Sequence, residues 1–453
     1  MKEQVSQNIL DSRDAYETMA LKIWEFAEVG YKEERSAALL QETLRSHGFR
    51  VTSGVAGIPT AFVAEYGSGA PSIGILAEYD ALPGLSQMAV PERRPIEGAG
   101  AGHACGHHLF GTASVAAAIA IKDQIEQGRI SGTIKLFGCP AEEGGSGKVY
   151  MVRAGLFDGL DAVIHWHPGD RNEVTLTSAL ANKSAKFRFY GVASHASSAP
   201  EQGRSALDGV EAMNFMTNLM REHMPQEARM HYIITRGGTA PNVVPDFAEV
   251  YYYVRHPDKE MVKDLFTRVE AAAEGAALGT GTKTDYEIIG GTHDLLINKT
   301  LARVAQTNLE RVGGIQYTAE EIAFGKKIQE TLTSRPDLTR AATIVPFDEE
   351  RTAGIGSTDV GDVSYAVPTV GIRVATWVPG TPAHSWQAVA CGGTSIGIKG
   401  MIVAARTMAL TAVDLYTQPQ VLIEAKKEHT TSTGDYKYEA LLGDRAPALD
   451  YRN

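Results

Sequence analysis

Apolar residues near the start of the chain recur with a helical period. In the stretch from Ile9 to Val29 they are three or four positions apart, as in an amphipathic helix: Tyr16, Met19, Ile23 and Phe26. We therefore predict one helix here, ending at Gly30. A second helix is predicted from Ser36 to His47, because Gly48 is the residue type that commonly follows a last helical turn.

Short apolar runs then alternate with helix-like segments. The runs are predicted strands: Ala61 to Tyr66, Ile73 to Ala77, Ile134 to Phe137, Ala162 to Trp166 and, far along the chain, Thr369 to Val374. A helix is predicted from Leu109 to Gln127, between two of these strands. Alternation of this kind predicts an α/β fold with a mixed, largely parallel sheet. Such sheets place their chemistry in the loops that follow the strands.

The middle of the chain has a different element order. Strand, helix, strand, strand, helix and strand follow one another over Lys186–Val192, Arg204–Arg221, Met230–Thr235, Ala248–Arg255, Asp258–Ala276 and Tyr286–Ile289. This is the order of a ferredoxin-like α+β unit. We predict a first part of a catalytic domain over residues 1–183, an inserted domain over 184–293, and the second part over 294–453. The polar segment after Tyr416 has no predicted place.

Composition narrows the function. The chain has 453 residues, enough for two domains, and a net charge of −11, which disfavours nucleic acid and anionic membranes as partners. Three cysteines are too few for a disulfide framework. The first residues lack the apolar core of a signal peptide. The apolar stretch from Ile396 to Tyr416 contains Lys399 and Arg406, so we predict a helix packed in the core and not a membrane span. We expect a soluble, cytoplasmic protein.

The densest candidate site is the segment from Gly102 to His108. Cys105 and His107 lie two positions apart in a glycine-rich loop that opens a helix, so both side chains could reach one ion. Thiolate and imidazole suit zinc and related metals. Alternatively, Cys105 is a small buried apolar residue and His107 a polar residue at a helix start.

Three further segments carry possible ligands. Glu142 and Glu143 are adjacent carboxylates after a predicted strand, where one could bind a cation while the other accepts a proton. His165 and His167 follow another apolar run, and His384 lies in a loop rich in proline and glycine. Each segment taken alone also fits a structural role: a solvated acidic turn, a strand face or a surface histidine.

Their combination favours a metal centre. Ligand types fall at the ends of three predicted strands of one sheet, with a paired glutamate and a distant histidine. That is enough to hold two divalent ions with a water between them. Cysteine favours zinc and carboxylates tolerate manganese, so the sequence leaves both metals open.

Six ordered motifs resemble one family. The segments GHACGHH, PAEEGGSGK, VIHWHP, VASHASSAP, PNVVPD and AHS closely resemble the aminoacylase/carboxypeptidase amidohydrolases, peptidase family M20. The similar branch has a cysteine ligand and includes hydrolases of aminobenzoyl-glutamate and of indole-acetyl-amino acids. The segment GSTDVGDVSYAVP is most like B-type subunits of the former. The resemblance implies a metallopeptidase-type catalytic domain with an inserted lid and dimerisation domain.

The resemblance also implies residue roles. The implied ligands of two divalent ions are Cys105, His107, Glu143, His167 and His384. Glu142 is the implied general base, and Asp80 in AEYDALP occupies the position of a carboxylate that orients a ligand histidine. His108 departs from the family pattern, which often has aspartate there, so it is either a neighbour of the ligands or an additional ligand.

The inserted domain supplies three more implied residues. His195 would polarise the substrate carbonyl, reaching the partner's site in a homodimer, while Asn242 and Arg255 would hold the substrate carboxylate. Arg255 could instead simply end a strand. The predicted activity is amide hydrolysis of N-acyl amino acids or small peptides by a metal-activated water.

Four alternatives differ from this prediction. Within the same family, the protein could be a dipeptidase or carboxypeptidase. Cys105 could be the nucleophile of a thiol hydrolase, but Glu142, Glu143 and His384 would then have no role. GAGAG at Gly98 to Gly102 suggests a dinucleotide site, although His103 stands where that motif needs glycine. The protein could also be a non-catalytic dimer that binds ligand without turnover.

Overall fold

The structure is a computed structural model that describes residues 1–350, 354 and 356–452. The strands are β1 Arg50–Ser53, β2 Phe62–Ser68, β3 Ser72–Ala77, β4 Leu82–Pro83, β5 Ala101–Gly102, β6 Gly132–Gly138, β7 Ala162–Gly169, β8 Glu173–Val174, β9 Ala181–Tyr190, β10 Arg229–Arg236, β11 Phe247–His256, β12 Lys283–Thr292 and β13 Thr369–Ala375. The helices are α1 Lys2–Asp11, α2 Arg13–Phe26, α3 Glu34–Ser46, α4 His107–Glu126, α5 Gly147–Arg153, α6 Ala206–Met220, α7 Lys259–Thr280, α8 Lys299–Val312, α9 Ala319–Glu330, α10 Val360–Ala366, α11 Trp386–Gly392, α12 Ser395–Thr417 and α13 Pro419–Thr433.

A seven-stranded mixed sheet forms the centre of the larger domain. Its strand order is β1-β2-β6-β3-β7-β13-β8, and the neighbours among β6, β3, β7 and β13 are parallel. The outer strands β1, β2 and β8 pair antiparallel. The predicted α/β class and largely parallel sheet are therefore confirmed. Because the four parallel strands end at the same edge, the loops after them meet there.

Two long apolar helices cover this sheet. α4 and α12 pack against each other and against the sheet, and most of their residues are buried. By length and composition, α12 is the one helix among the described residues that could cross a membrane, but 89% of its apolar window is buried inside the protein. The burial agrees with the expectation of a packed core helix.

The second sheet has four antiparallel strands in the order β10-β11-β9-β12, with α6 and α7 on one face. Alternate residues of β11 (Val250, Tyr252 and Val254) are buried beneath those helices. Tyr251, Tyr253 and Arg255 lie on the opposite, half-buried face, as the two-residue period of a strand requires. The predicted ferredoxin-like order of elements is present.

The prediction of one helix from Ile9 to Val29 is wrong. The structure has two helices that meet at Ser12, whose backbone leaves the helical range (φ −96°, ψ 8°). α1 packs against α12 and α4, and α2 packs against α4 and α3, so the break lets each helix bury its own apolar face. The second helix stops at Ala27, which is left-handed (φ +43°), before Gly30 is reached.

The segment after Tyr416 has a definite place. α13 packs against α8 and α12, and the chain then returns across the molecule toward the loop that follows β6. Leu441 and Leu442 on this return path are buried. The sequence did not predict this packing, because few residues of the segment after Tyr416 are apolar.

Candidate active site

The predicted ligands come together at the carboxyl edge of the parallel strands. Glu142 and Glu143 follow β6, and His167 lies near the end of β7. Cys105 and His107 lie at the start of α4, and His384 lies in the loop before α11. The backbone joins two of these segments, because the His384 N–H donates to the carbonyl of Ala104 (2.9 Å).

His107 is held in one orientation. Its Nδ1 lies 2.8 Å from Asp80 Oδ1, and the other oxygen of Asp80 accepts the Glu143 N–H (2.9 Å). When Nδ1 carries the proton, Nε2 has a free lone pair, which is the form of imidazole that binds metals. Nε2 is buried and lies 3.1 Å from Glu78 Oε2, a contact whose geometry makes no hydrogen bond. Asp80 therefore fixes both an imidazole and the backbone of the glutamate pair.

Two groups of ligand atoms share Cys105. Cys105, His107 and His167 form one group and Cys105, Glu143 and His384 the other, each with its ligand atoms within 4.8 Å of one another. The Cys105 Sγ lies 3.4 Å from His167 Nε2, and His384 Nε2 lies 3.0 Å from Glu143 Oε1. All five predicted ligands are thus in one place, in two groups that share the sulfur of Cys105.

The electrostatics of this pocket favour a cation. Burial, and then Glu143, raise the pKa of the Cys105 thiol; burial, Glu78 and Glu143 raise the pKa of Glu142 well above its usual range. A hydrogen bond to Glu143 raises the pKa of His384. Cys105 is buried, Glu142 is half-buried and His384 is exposed, and they keep protons because negative charge is crowded between them. Divalent ions would supply the missing positive charge, so the donor set fits a metal centre.

The sequence analysis missed three buried charged residues beside the ligands. Lys148 is fully buried, with its Nζ 2.6 Å from Glu78 Oε1 and 2.8 Å from Asp359 Oδ1. Glu78, His107 and Glu142 form a further group of possible ligands within the same distance limit. All three missed residues lie inside motifs quoted above (AEYDALP, PAEEGGSGK and GSTDVGDVSYAVP), which was the available signal.

Two histidines near the ligands belong to other contacts. His108 Nε2 lies 3.1 Å from the Gly392 carbonyl, and its ring packs against His103. His165 is buried on the same strand as His167, and burial lowers its pKa to about 3. Neither belongs to a ligand group among the described residues. The structure thus brings His167, and not His165 or His108, to the other ligands.

The inserted-domain residues lie in a different setting. His195 and Asn242 are exposed and neighbouring, since Ala196 N–H donates to the Asn242 carbonyl (3.0 Å). The His195 Nδ1 accepts the N–H groups of Ser197 and Ser198 (3.3 and 3.2 Å), so a neutral ring carries its proton on Nε2. Arg255 is half-buried with its guanidinium 5.2 Å from the Tyr253 ring centre. None of these three hydrogen-bonds to a metal-ligand candidate within the described residues.

Comparison with known proteins identifies the family. Residues 181–280 match the model of the M20 peptidase dimerisation domain. The chain is 41% identical to the B-type subunit of p-aminobenzoyl-glutamate hydrolase of Escherichia coli, over 94% of each chain. This chain belongs to peptidase family M20.

Two further comparisons agree. Within the family, the chain is 29% identical to the mouse Xaa-Arg dipeptidase, over 94% of this chain and 92% of the relative. A dinuclear metal-binding M20 peptidase from Bacillus subtilis has the same fold (TM-score 0.61, 19% identity, 89% of this chain and 99% of that one). This M20 chain is accordingly a metal-dependent hydrolase of amide bonds. The dinucleotide and thiol-hydrolase alternatives are set aside.

Proposed function

We propose that this M20 hydrolase cleaves the amide bond of N-acyl amino acids of the aminobenzoyl-glutamate kind, in the cytoplasm, with two divalent ions bound through Cys105. The observation that carries the proposal is the pair of ligand groups sharing that one sulfur. The name of the E. coli relative supports the substrate class. The three free, buried cysteines support a reducing compartment, which fractionation of cells would test.

The ligand assignment follows the two groups. Cys105, His107 and His167 would hold one ion and Cys105, Glu143 and His384 the other, with zinc or manganese as the metal. When bound, the ions lower the pKa of a water molecule toward neutrality and polarise the amide carbonyl. The remaining steps belong to the side chains.

Glu142 is the proposed general base. Its carboxyl group is half-buried and grouped with Glu78 and His107, outside the two ligand groups that share Cys105. It accepts a proton from the attacking water and then donates that proton to the leaving amine, which must depart protonated.

His195, Asn242 and Arg255 are the proposed substrate-binding residues. The Nε2–H of His195 would donate to the carbonyl oxygen as negative charge develops there. The guanidinium of Arg255 and the amide of Asn242 would bind the free carboxylate of the amino acid. A neutral His195 whose Nδ1 already accepts two N–H groups is suited to this donation.

We propose that these residues act in a dimer formed through the inserted domain. β10 is an edge strand, and its Ile233 and Ile234 are exposed. Phe215 and Leu219 of α6 are 67% and 54% exposed, so this domain presents large apolar side chains to water. The match to a dimerisation domain supports a homodimer. The E. coli relative is named as one of two kinds of subunit, which supports, as the alternative, pairing with a second kind of chain.

A dipeptidase activity is the second candidate, favoured by the similarity to the Xaa-Arg dipeptidase over nearly the whole chain. Both substrates have a free carboxylate next to the scissile amide, so Arg255 and Asn242 could bind either one. They differ in the side chain of the leaving residue, acidic in one case and basic in the other.

One experiment tests both candidates. Protein purified without chelator is assayed for metal by elemental analysis, and for hydrolysis of aminobenzoyl-glutamate and of Xaa-Arg dipeptides with zinc or manganese added. About two ions per chain and turnover of aminobenzoyl-glutamate are expected. Turnover of the dipeptides alone would favour the second candidate. Absence of bound metal under every loading condition would refute the dinuclear site, and ligand binding without turnover would favour the non-catalytic dimer.

A further inference from the structure

The return path after α13 ends on the loop that carries the glutamate pair. We call residues 436–452 the strap. Tyr451 OH donates to the Glu143 carbonyl (3.0 Å), and Arg452 Nη2 donates to the same oxygen (2.7 Å). The Tyr451 ring also packs edge-on against Tyr31, whose OH donates to the Gly145 carbonyl (2.6 Å).

The strap is anchored well before it reaches this loop. Near its start, Tyr436 OH lies 2.6 Å from His293 Nε2 and Tyr438 OH donates to Asp362 (2.8 Å). Farther along, Arg445 Nη1 donates to two successive carbonyls of β12, Ile288 and Ile289, at the irregularity in its pairing with β9 (2.5 Å each).

The loop needs such contacts because its backbone is strained. Ala141 and Ser146, which flank the glutamates, both have left-handed φ angles (+57° and +59°) without being glycine. Conformations of this kind persist only where surrounding structure holds them. Two carboxylates from the first part of the chain hold this loop: Glu33 Oε1 accepts the Ala141 N–H (2.8 Å) and Asp80 accepts the Glu143 N–H (2.9 Å).

Glu143 is therefore held at both backbone groups. Asp80, which also orients His107, takes its N–H, and the strap takes its carbonyl. We propose that Tyr451 and Arg452 are positioning residues of the active site: by fixing the Glu143 carbonyl they set where the Glu143 side chain meets a metal ion and where Glu142 meets the water. This inference rests on the proposed function and extends the active site to residues from a distant part of the sequence.

The test compares Arg452→Ala, Arg452→Lys and Tyr451→Phe with Asp444→Ala, a strap residue whose side chain is exposed. Measured for each are kcat, KM, the affinity for zinc by competition with a chromogenic chelator, and the thermal midpoint. A misplaced catalytic group costs roughly ten- to a hundredfold in rate, so Arg452→Ala should lose kcat on that order with KM little changed.

Three further results are expected. Zinc affinity should fall in Arg452→Ala and less in Tyr451→Phe, which keeps the aromatic packing. Arg452→Lys, or guanidinium added to Arg452→Ala, should restore part of kcat. The thermal midpoint should stay near that of wild type, because the strap has other anchors.

Two outcomes would overturn the proposal. One is kcat and zinc affinity unchanged in both Arg452→Ala and Tyr451→Phe. The other is loss in Asp444→Ala equal to theirs, or loss that follows the thermal midpoint, since either would indicate a general folding effect. If wild-type protein hydrolyses none of the substrates, the proposed function fails, but zinc affinity still tests the strap.

Discussion

The candidate metal pocket and the proposed substrate-binding residues of the inserted domain differ in burial and in how firmly they are held. In the pocket, His107 is buried and hydrogen-bonded to Asp80, and Glu143 is fixed along its backbone. In the inserted domain, His195 and Asn242 are exposed. A metal centre needs ligands immobilised before the ion arrives, whereas groups that grip a substrate must first let it enter. One chain thus brings the five candidate ligands together but leaves His195 and Asn242 in solvent and Arg255 half-buried.

Among changes in the metal pocket, removing the general base should lower kcat the most. Glu142→Gln keeps the shape of the side chain but cannot accept the proton of the water, so kcat should fall by roughly 10²–10⁴-fold. Steady-state kinetics with elemental analysis measures this, and Glu42→Gln on the exposed face of α3 is the matched control. Near-normal kcat with both ions bound would remove Glu142 from the mechanism.

His195→Ala should have the next largest effect, roughly 10²–10³-fold in kcat, if its Nε2–H stabilises the developing oxyanion. Metal content should stay the same, because His195 belongs to no ligand group among the described residues. This result would sharpen the contrast between a region that binds metal and a region that binds substrate.

Mixing variants shows which chain supplies His195. When Glu142→Gln and His195→Ala chains are unfolded, mixed and refolded, a homodimer whose sites each combine Glu142 of one chain with His195 of the other regains about a quarter of wild-type activity. No recovery would mean that each chain completes its own site. The exposed His195 would then have to approach Glu142 of the same chain when substrate binds.

Arg255→Ala should act mainly through binding. Loss of a charge-assisted contact to the substrate carboxylate predicts a KM increase of roughly ten- to a hundredfold with a smaller change in kcat. A substrate whose free carboxylate is converted to the amide is the control, because it should lose nothing further in the variant. Equal losses for both substrates would assign Arg255 a structural role on β11.

The smallest expected effect is a gradual change of zinc affinity with pH. Burial and Glu143 raise the pKa of Cys105, so the thiol is protonated near neutrality and must release its proton when an ion binds. Zinc affinity should therefore fall as pH falls, by about tenfold per pH unit for one released proton. Titration at several pH values tests the slope. The Cys391→Ala variant should keep it, since Cys391 is buried elsewhere, and a flat profile in wild type would contradict Cys105 as a ligand.

Much of this arrangement could be predicted from local sequence. Short apolar runs located β3, β6 and β7 within a few residues, and ligand-type residues directly follow or end these strands. Because parallel strands share an edge, that placement already brings Glu143 and His167 near one another. Cys105 instead lies between the short β5 of a separate two-stranded sheet and α4, so its place beside them follows from the packing of α4. The prediction of a single first helix was wrong because the local pattern contains no sign of the break at Ser12. The break arises because α1 packs against α12 while α2 packs against α3.

The sequence by itself determined the strand and helix alternation, the donor atoms of the pocket and the family. Only the tertiary structure decided which groups hold those donors in place: Lys148 with Asp359, 211 positions apart, and Tyr451 and Arg452 with Glu143, more than 300 apart. Periodicity reports the environment of a residue within its own helix or strand. Hydrogen-bond partners from distant segments depend on how the elements pack, and a polar tail gives no apolar pattern from which that packing could be foreseen.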